Sequence, residues 1–275
     1  EAESEEGAGS RTKLSFKELV SQASLFFLAG NDTSSFVLAV LAYLLARHQD
    51  VQDRLIAEID RELGPDATSP GTLAPTPTSS SSPSTAAAAA TTASSPLSSS
   101  PLGKTAPPPL NYDSIQKLHL MKACVLEALR LHPVISVFTR QALESTEIAG
   151  YPIPAGAGVY VPVKSVCSDP DLYPEPELFK PERFLKGHLE SLMTDSASGG
   201  VGLGSAMFLP FGVGPRSCIG MRLGMYQVMM VMAAVLKKVR FVSAPGEINI
   251  PRAVMFGIPP FSEPLMVEVE AREQL

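Results

Sequence analysis

An α+β fold, predominantly helical, is predicted by three observations. Apolar residues recur at helical spacing through residues 15–63, 112–131 and 222–239. Short β-branched runs bounded by glycine or turn residues fall at 147–153, 159–163, 241–250 and 265–269. At 275 residues with 45% hydrophobic content, the chain is long enough to build a packed core.

Each element has a local reason. Ser15 followed three residues later by Glu18 forms a capping box, and the sequence from there to Ala46 is largely apolar. The polar break Asn31, Asp32, Thr33, Ser34 and Ser35 lies in its middle. A membrane span would carry that break only at high cost, so a long buried helix is expected. Val51, Leu55, Ile59 and Leu63 stand at helical spacing with charges between them, and Gly64-Pro65 stops the run. The helix over 112–131 closes at His132-Pro133, because a proline disfavours the α conformation in the residue before it. Strands at 147–153 and 159–163 surround Gly150 and Gly156, a helix returns at 222–239, and strands follow at 241–250 and 265–269.

The organisation is one domain, split. Of the 44 residues in 66–109, 39 are Ser, Thr, Ala, Pro or Gly, a composition that buries too little apolar surface to offset its ordering entropy. It is expected to be a disordered insertion between residues 11–65 and residues 110–275 of the same domain. Residues 1–10 read as an acidic tail or cut linker, and 191–205 as a shorter flexible loop. The start has neither the basic residues nor the apolar run of a signal peptide, and it is not a methionine. Lys and Arg number 22 against 28 Asp and Glu, a net charge of −6 that gives no electrostatic footprint for nucleic acid. The three cysteines are too few for a disulfide framework, so thiols are expected.

The chemistry concentrates in the run from Phe211 to Gly220, FGVGPRSCIG. Two glycines and a proline force a tight loop before an apolar helix, which places Cys218 at a helix N-terminus among free N–H groups that suit a thiolate. Gly220 removes a side chain where a flat macrocycle would approach the backbone, and Arg216 can reach a carboxylate at its edge. A buried structural cysteine is the bland alternative; the fixed spacing of Phe211, Gly214, Arg216, Cys218 and Gly220 favours the metal ligand.

This run resembles the haem-binding loop FxxGxRxCxG of the cytochrome P450 superfamily. Three further segments in the same order resemble family motifs: AGNDT from Ala29 to Thr33 resembles AGxxT of the long central helix, EALR from Glu127 to Arg130 resembles ExxR, and Pro181 to Phe184 is PERF. The resemblance covers nearly all of the chain outside the insertion and is nearest to eukaryotic microsomal members. It implies the C-terminal half of that fold: long central helix, ExxR helix, small sheets, and a cysteine loop followed by a helix. It also implies that the N-terminal half, with its membrane anchor, lies outside this stretch.

Glu127 and Arg130, three apart on a helix among apolar neighbours, are expected to pair, with Arg183 as a second cation and a structural role for all three. Thr33 can bond back to the carbonyl four residues earlier and open the helix to water, so that Asp32 and Thr33 relay protons; taken alone, the segment fits an ordinary polar kink equally well. Arg140 matches a position whose arginine contacts a haem propionate, or is a strand-edge surface charge. By resemblance, Phe26, Ala29, Val134, Ile135, Val137, Phe256 and Ile258 line the substrate pocket. His119, His132 and His188 lack metal-ligand spacing, and Cys124 and Cys167 read as packing residues. Arg222, Lys237, Lys238 and Arg240 are either a docking surface for a reductase or a solvated face.

The implied cofactor is haem b (iron protoporphyrin IX), with electrons from NADPH through a separate cytochrome P450 reductase. The implied function is a haem-thiolate monooxygenase acting on a lipophilic small molecule. Membrane association through the anchor, at the cytoplasmic face of the endoplasmic reticulum, is implied with it. Two alternatives stand: a haem-thiolate isomerase or dehydratase acting on peroxides, and a non-catalytic haem-binding piece lacking the N-terminal half.

Overall fold

The computed structural model describes residues 14–64, 110–185, 207–243 and 265–272. Helix α1 (Phe16–Arg47) begins at the expected capping box, in which the Glu18 N–H donates to Ser15 Oγ at 3.3 Å and the Ser15 N–H donates to the Glu18 carboxylate at 2.8 Å. Helix α2 (Gln49–Leu63) follows after His48 and ends at Gly64, whose carbonyl accepts from the Lys237 ammonium. The expectation that α1 is buried along its length is corrected. Residues 14–32 are exposed, and burial begins only at Ser34. By length and composition α1 could cross a membrane, yet its second half packs into the core with α2, α4 and the last helix.

The single helix expected over 112–131 is two helices, α3 (Tyr112–Gln116) and α4 (His119–Leu131). The break has a tertiary cause. Glu58 of α2, itself buried, accepts the Leu120 N–H at 2.7 Å and the Met121 N–H at 3.0 Å, so its carboxylate caps a new helix start at the positive end of the helix dipole. At the other end, Lys164 Nζ donates to the Leu131 carbonyl at 2.6 Å.

Three two-stranded antiparallel sheets complete the described residues. Strand β1 (Val137–Gln141) pairs with β4 (Gly158–Pro162), setting Val137 opposite Pro162 and Gln141 opposite Gly158. β2 (Thr146–Ile148) and β3 (Tyr151–Ile153) form a hairpin, and β5 (Val239–Ser243) pairs with β6 (Val267–Ala271). The sequence patterns missed β1 and also the short helix α5 (Val163–Cys167), whose first residue had been expected to end a strand. Helix α6 (Met221–Leu236) is shorter than the 222–239 expected, because Val239 pairs with Ala271 and the Lys238 carbonyl accepts the Arg272 N–H at 2.9 Å. The strand expected over 241–250 is seen only to Ser243, since its remainder lies outside the described residues.

The main core joins α1, α2, α4, α6 and Phe241 of β5. Gln52, fully buried on α2, acts as a strand partner: its Oε1 accepts the Phe241 N–H at 2.8 Å and its Nε2 donates to the Phe241 carbonyl at 2.9 Å. Both polar ends are thereby satisfied where water cannot reach. Two smaller clusters flank this core. One holds Ala123, Leu126, Tyr173 and Phe184; the other holds Val163, Cys167 and Leu209.

His132 closes α4, and burial, then the nearby cations Lys164 and Arg130, push its pKa down to about 4 from 6.5. A neutral folded imidazole and a protonating unfolded one mean that stability is full above pH 6.5 and falls as the pH drops through about 4. The linkage amounts to about 3 kcal/mol. Urea midpoints across that window should therefore show a steeper loss for the parent than for His132→Asn; parallel curves would sink the assignment.

Candidate functional site

The cysteine loop is shaped by its own backbone. Gly212 and Gly214 have φ of 67° and 73°, which side chains on L-residues resist. The Gly212 N–H donates to the Leu209 carbonyl at 2.8 Å, the Ser217 N–H to Gly214 at 3.0 Å, and the Cys218 N–H to Phe211 at 2.8 Å, closing the loop. One expectation is adjusted here. Helix α6 starts at Met221 with Gly220 as its cap, so Cys218 precedes the first turn and its own N–H is committed to Phe211. Gly220 stands behind the sulfur: a methyl group built there would lie 4.0 Å from Cys218 Sγ. The Cys218 side chain is exposed, whereas Cys124 and Cys167 are buried, and burial raises the pKa of both.

Cys218 opens into a cavity of about 370 Å³ that lies between α1, α4, β1 and α6. Of the residues singled out by sequence, Cys218, Phe211, Arg216, Arg140, Thr33, Ala29, Val134 and Ile135 line it. Asp32, Phe26, Val137, Gly214 and Gly220 do not, and Phe256 and Ile258 lie outside the described residues. Asp32 is on the exposed side of α1, where Asn31 Nδ2 donates to its carboxylate at 3.2 Å. The Thr33 hydroxyl donates to the Ala29 carbonyl at 2.7 Å, the bond expected from the sequence. Arg140 stands at the rim, with its guanidinium carbon 4.9 Å from the Phe138 ring centre and its Nη1 donating to the Thr139 carbonyl at 2.8 Å.

Sequence reasoning missed other wall residues, among them Val37, Val125, Leu129 and Met225. A signal for the first three was present. Ala29, Thr33 and Val37 form an i, i+4, i+8 stripe on α1, and Val125 and Leu129 are an i, i+4 pair on α4.

A buried charge cluster sits on α4. Glu127 and Arg130 are both fully buried and form a bidentate pair, with Nε to Oε2 at 2.8 Å and Nη2 to Oε1 at 2.9 Å. Arg183 Nε adds a contact to Glu127 Oε1 at 3.3 Å, and the backbone N–H of Lys180 donates there at 3.0 Å. Arg130 spends its other donors on the carbonyls of Cys167 at 2.8 Å and Pro176 at 2.7 Å. The pair therefore ties α4 to residues 167–183, the segment that precedes the cysteine loop.

The donor set of the cavity defines what fits it. One thiol, two guanidinium groups and apolar walls suit a flat apolar macrocycle with a thiolate-ligated metal and acidic edge groups. Among the described residues no group of three His, Cys, Asp or Glu side chains could hold a metal.

Comparison with known families agrees: the family model "Cytochrome P450" matches residues 1–74 and 102–262. The chain belongs to the cytochrome P450 family. The prosthetic group of the family is haem b. In this cytochrome P450, Cys218 would be the residue to hold the haem iron, and Arg140 and Arg216, which line the same cavity, would be the cations for its acidic edge. Similar relatives include cytochrome P450 3A29 of Sus scrofa, 34% identical over 83% of this chain and 35% of its own length. Probable cytochrome P450 6a23 of Drosophila melanogaster is 32% identical over 90% of this chain and 40% of its own length. Thromboxane-A synthase of Mus musculus is 32% identical over 85% and 34%. The chain thus spans well under half the length of these relatives.

Proposed function

We propose that this chain is the haem-binding portion of a monooxygenase that transfers one atom of dioxygen to a lipophilic organic substrate. The observation that carries the reading is that Cys218, Arg140, Arg216 and Thr33 line one largely apolar cavity. Haem b, when bound, supplies the site of dioxygen reduction and oxygen transfer. The chain's own residues do the rest. Cys218 holds the metal as a thiolate, Arg140 and Arg216 orient the macrocycle, and the apolar side chains of Val37, Val134, Ile135 and Phe138 exclude water and favour a lipophilic guest. In this reading Thr33 holds a hydroxyl at the cavity wall and Asp32, on the exposed side of the same turn, passes it protons.

The electron donor in this reading is an NADPH-dependent cytochrome P450 reductase, and the location is the cytoplasmic face of the endoplasmic reticulum membrane; likeness to microsomal members supports both. Residues 66–109 are read as an insertion within one domain, supported by the break in the family match over 75–101. Isomerisation or dehydration of peroxides without dioxygen is the second reading, favoured by the likeness to thromboxane-A synthase. Dependence of turnover on a reductase separates the two.

The test is a dithionite-reduced carbon monoxide difference spectrum of the chain expressed with added haem. The parent should give a red-shifted Soret band, and Cys218→Ala should lose it. A red-shifted band that survives Cys218→Ala would overturn the assignment of the ligand.

A further inference from the structure

The buried charge pair and the cysteine loop meet at one aromatic residue. Tyr173 is 2% exposed, and the Arg130 guanidinium carbon lies 5.1 Å from the centre of its ring. Its hydroxyl donates to the Met207 carbonyl at 3.0 Å. Met207 stands two residues before Leu209, whose carbonyl accepts the Gly212 N–H, and Phe211 beyond it accepts the Cys218 N–H. An apolar contact runs beside this route, since Phe184 meets Phe208 edge-on at 5.3 Å.

Packing alone does not call for a hydroxyl here. Ala123, Leu126 and Phe184 would surround a phenylalanine equally well, and a buried hydroxyl costs free energy unless it is bonded. Among the described residues the hydroxyl's partner is the Met207 carbonyl, at the entry to the loop. The cation over the ring draws electron density from the phenol and strengthens it as a donor. Burial raises the phenol's pKa, which favours the protonated, donating form.

We propose that Tyr173 is a positioning residue for Cys218: Arg130 sets its ring, and its hydroxyl anchors Met207, fixing where the cysteine loop begins. The inference rests on reading Cys218 as the axial ligand, but its test reads the geometry of the loop without any metal, so the two can fail separately.

The experiment is native-state hydrogen exchange on the full chain, comparing the parent with Tyr173→Phe. A stability-matched control, Ile59→Val, lies in the main core away from this cluster. Tyr173→Phe keeps the ring and should fold. Losing one buried hydrogen bond should raise exchange at the Gly212 and Cys218 amides by about five- to tenfold, while β1, β4 and α4 keep the protection of the control. Unchanged exchange at Gly212 and Cys218 would overturn the proposal, as would a loss spread evenly over the molecule. Tyr173→Leu, which removes ring and hydroxyl together, should loosen both the loop and α4; loosening of α4 alone would also overturn it.

Discussion

Glu127→Ala is expected to cost about 3–5 kcal/mol, a large share of the about 5–15 kcal/mol that holds a domain of ordinary stability. The carboxylate receives two bonds from Arg130, one from Arg183 and one from the Lys180 backbone, in a place with no access to water. Its removal leaves the Arg130 guanidinium, fully buried, facing only the carbonyls of Cys167, Pro176 and Leu178 and the Tyr173 ring. Neutral carbonyls do not replace a counter-charge in a low dielectric. Urea denaturation followed by near-ultraviolet circular dichroism should show the parent transition displaced or absent. Haem incorporation should be abolished, because residues 167–183 would no longer hold the approach to the loop. Glu127→Gln keeps the acceptor without the charge and should fall between. An Ala variant with the parent's midpoint and full haem uptake would refute the structural role of the cluster.

Glu58→Ala should destabilise by about 3 kcal/mol through a different mechanism. Its carboxylate alone answers the Leu120 and Met121 N–H groups where α4 begins, and no side chain of the cap residue Leu118 serves them. Two buried donors left without partners cost more than the hydrogen bonds themselves. Exchange of the Leu120 and Met121 amides should rise first, ahead of global unfolding, and Glu58→Gln should recover about half of the loss. If the Ala variant exchanged no faster at those two amides, the capping role would be wrong. The consequence reaches the site, because α4 carries Glu127, Arg130 and the cavity residues Val125 and Leu129.

Other side chains hold the frame in the same way, from far along the chain. Gln52 pairs with the backbone of Phe241, 189 residues away, and Arg272 joins Asp60 to the Leu236 carbonyl. Salt bridges at the surface, such as Arg54 with Glu182, contribute less because water screens them.

Where a feature rests on neighbours in the chain, the residues alone were enough to read it. Gly212, Gly214 and Pro215 compel the tight loop, and the bond that closes it joins Phe211 to Cys218. The capping box at Ser15 and the Thr33 back-bond are likewise local, as is the pairing of Glu127 with Arg130 at i, i+3. Remote contacts settled the rest. Glu58 splits the helix expected over 112–131 from 62 positions away, and β6 draws Val239 out of α6. Burial of Glu127 depends on Lys180 and Arg183, more than fifty positions away. The cavity draws its walls from α1, α4, α5, β1, α6 and the cysteine loop, which periodicity cannot bring together. Backbone conformation and bonds within a few residues are a property of composition and order, whereas burial and long-range capping exist only once distant segments have met, and that meeting sets the exposed thiol of Cys218 at the wall of a cavity.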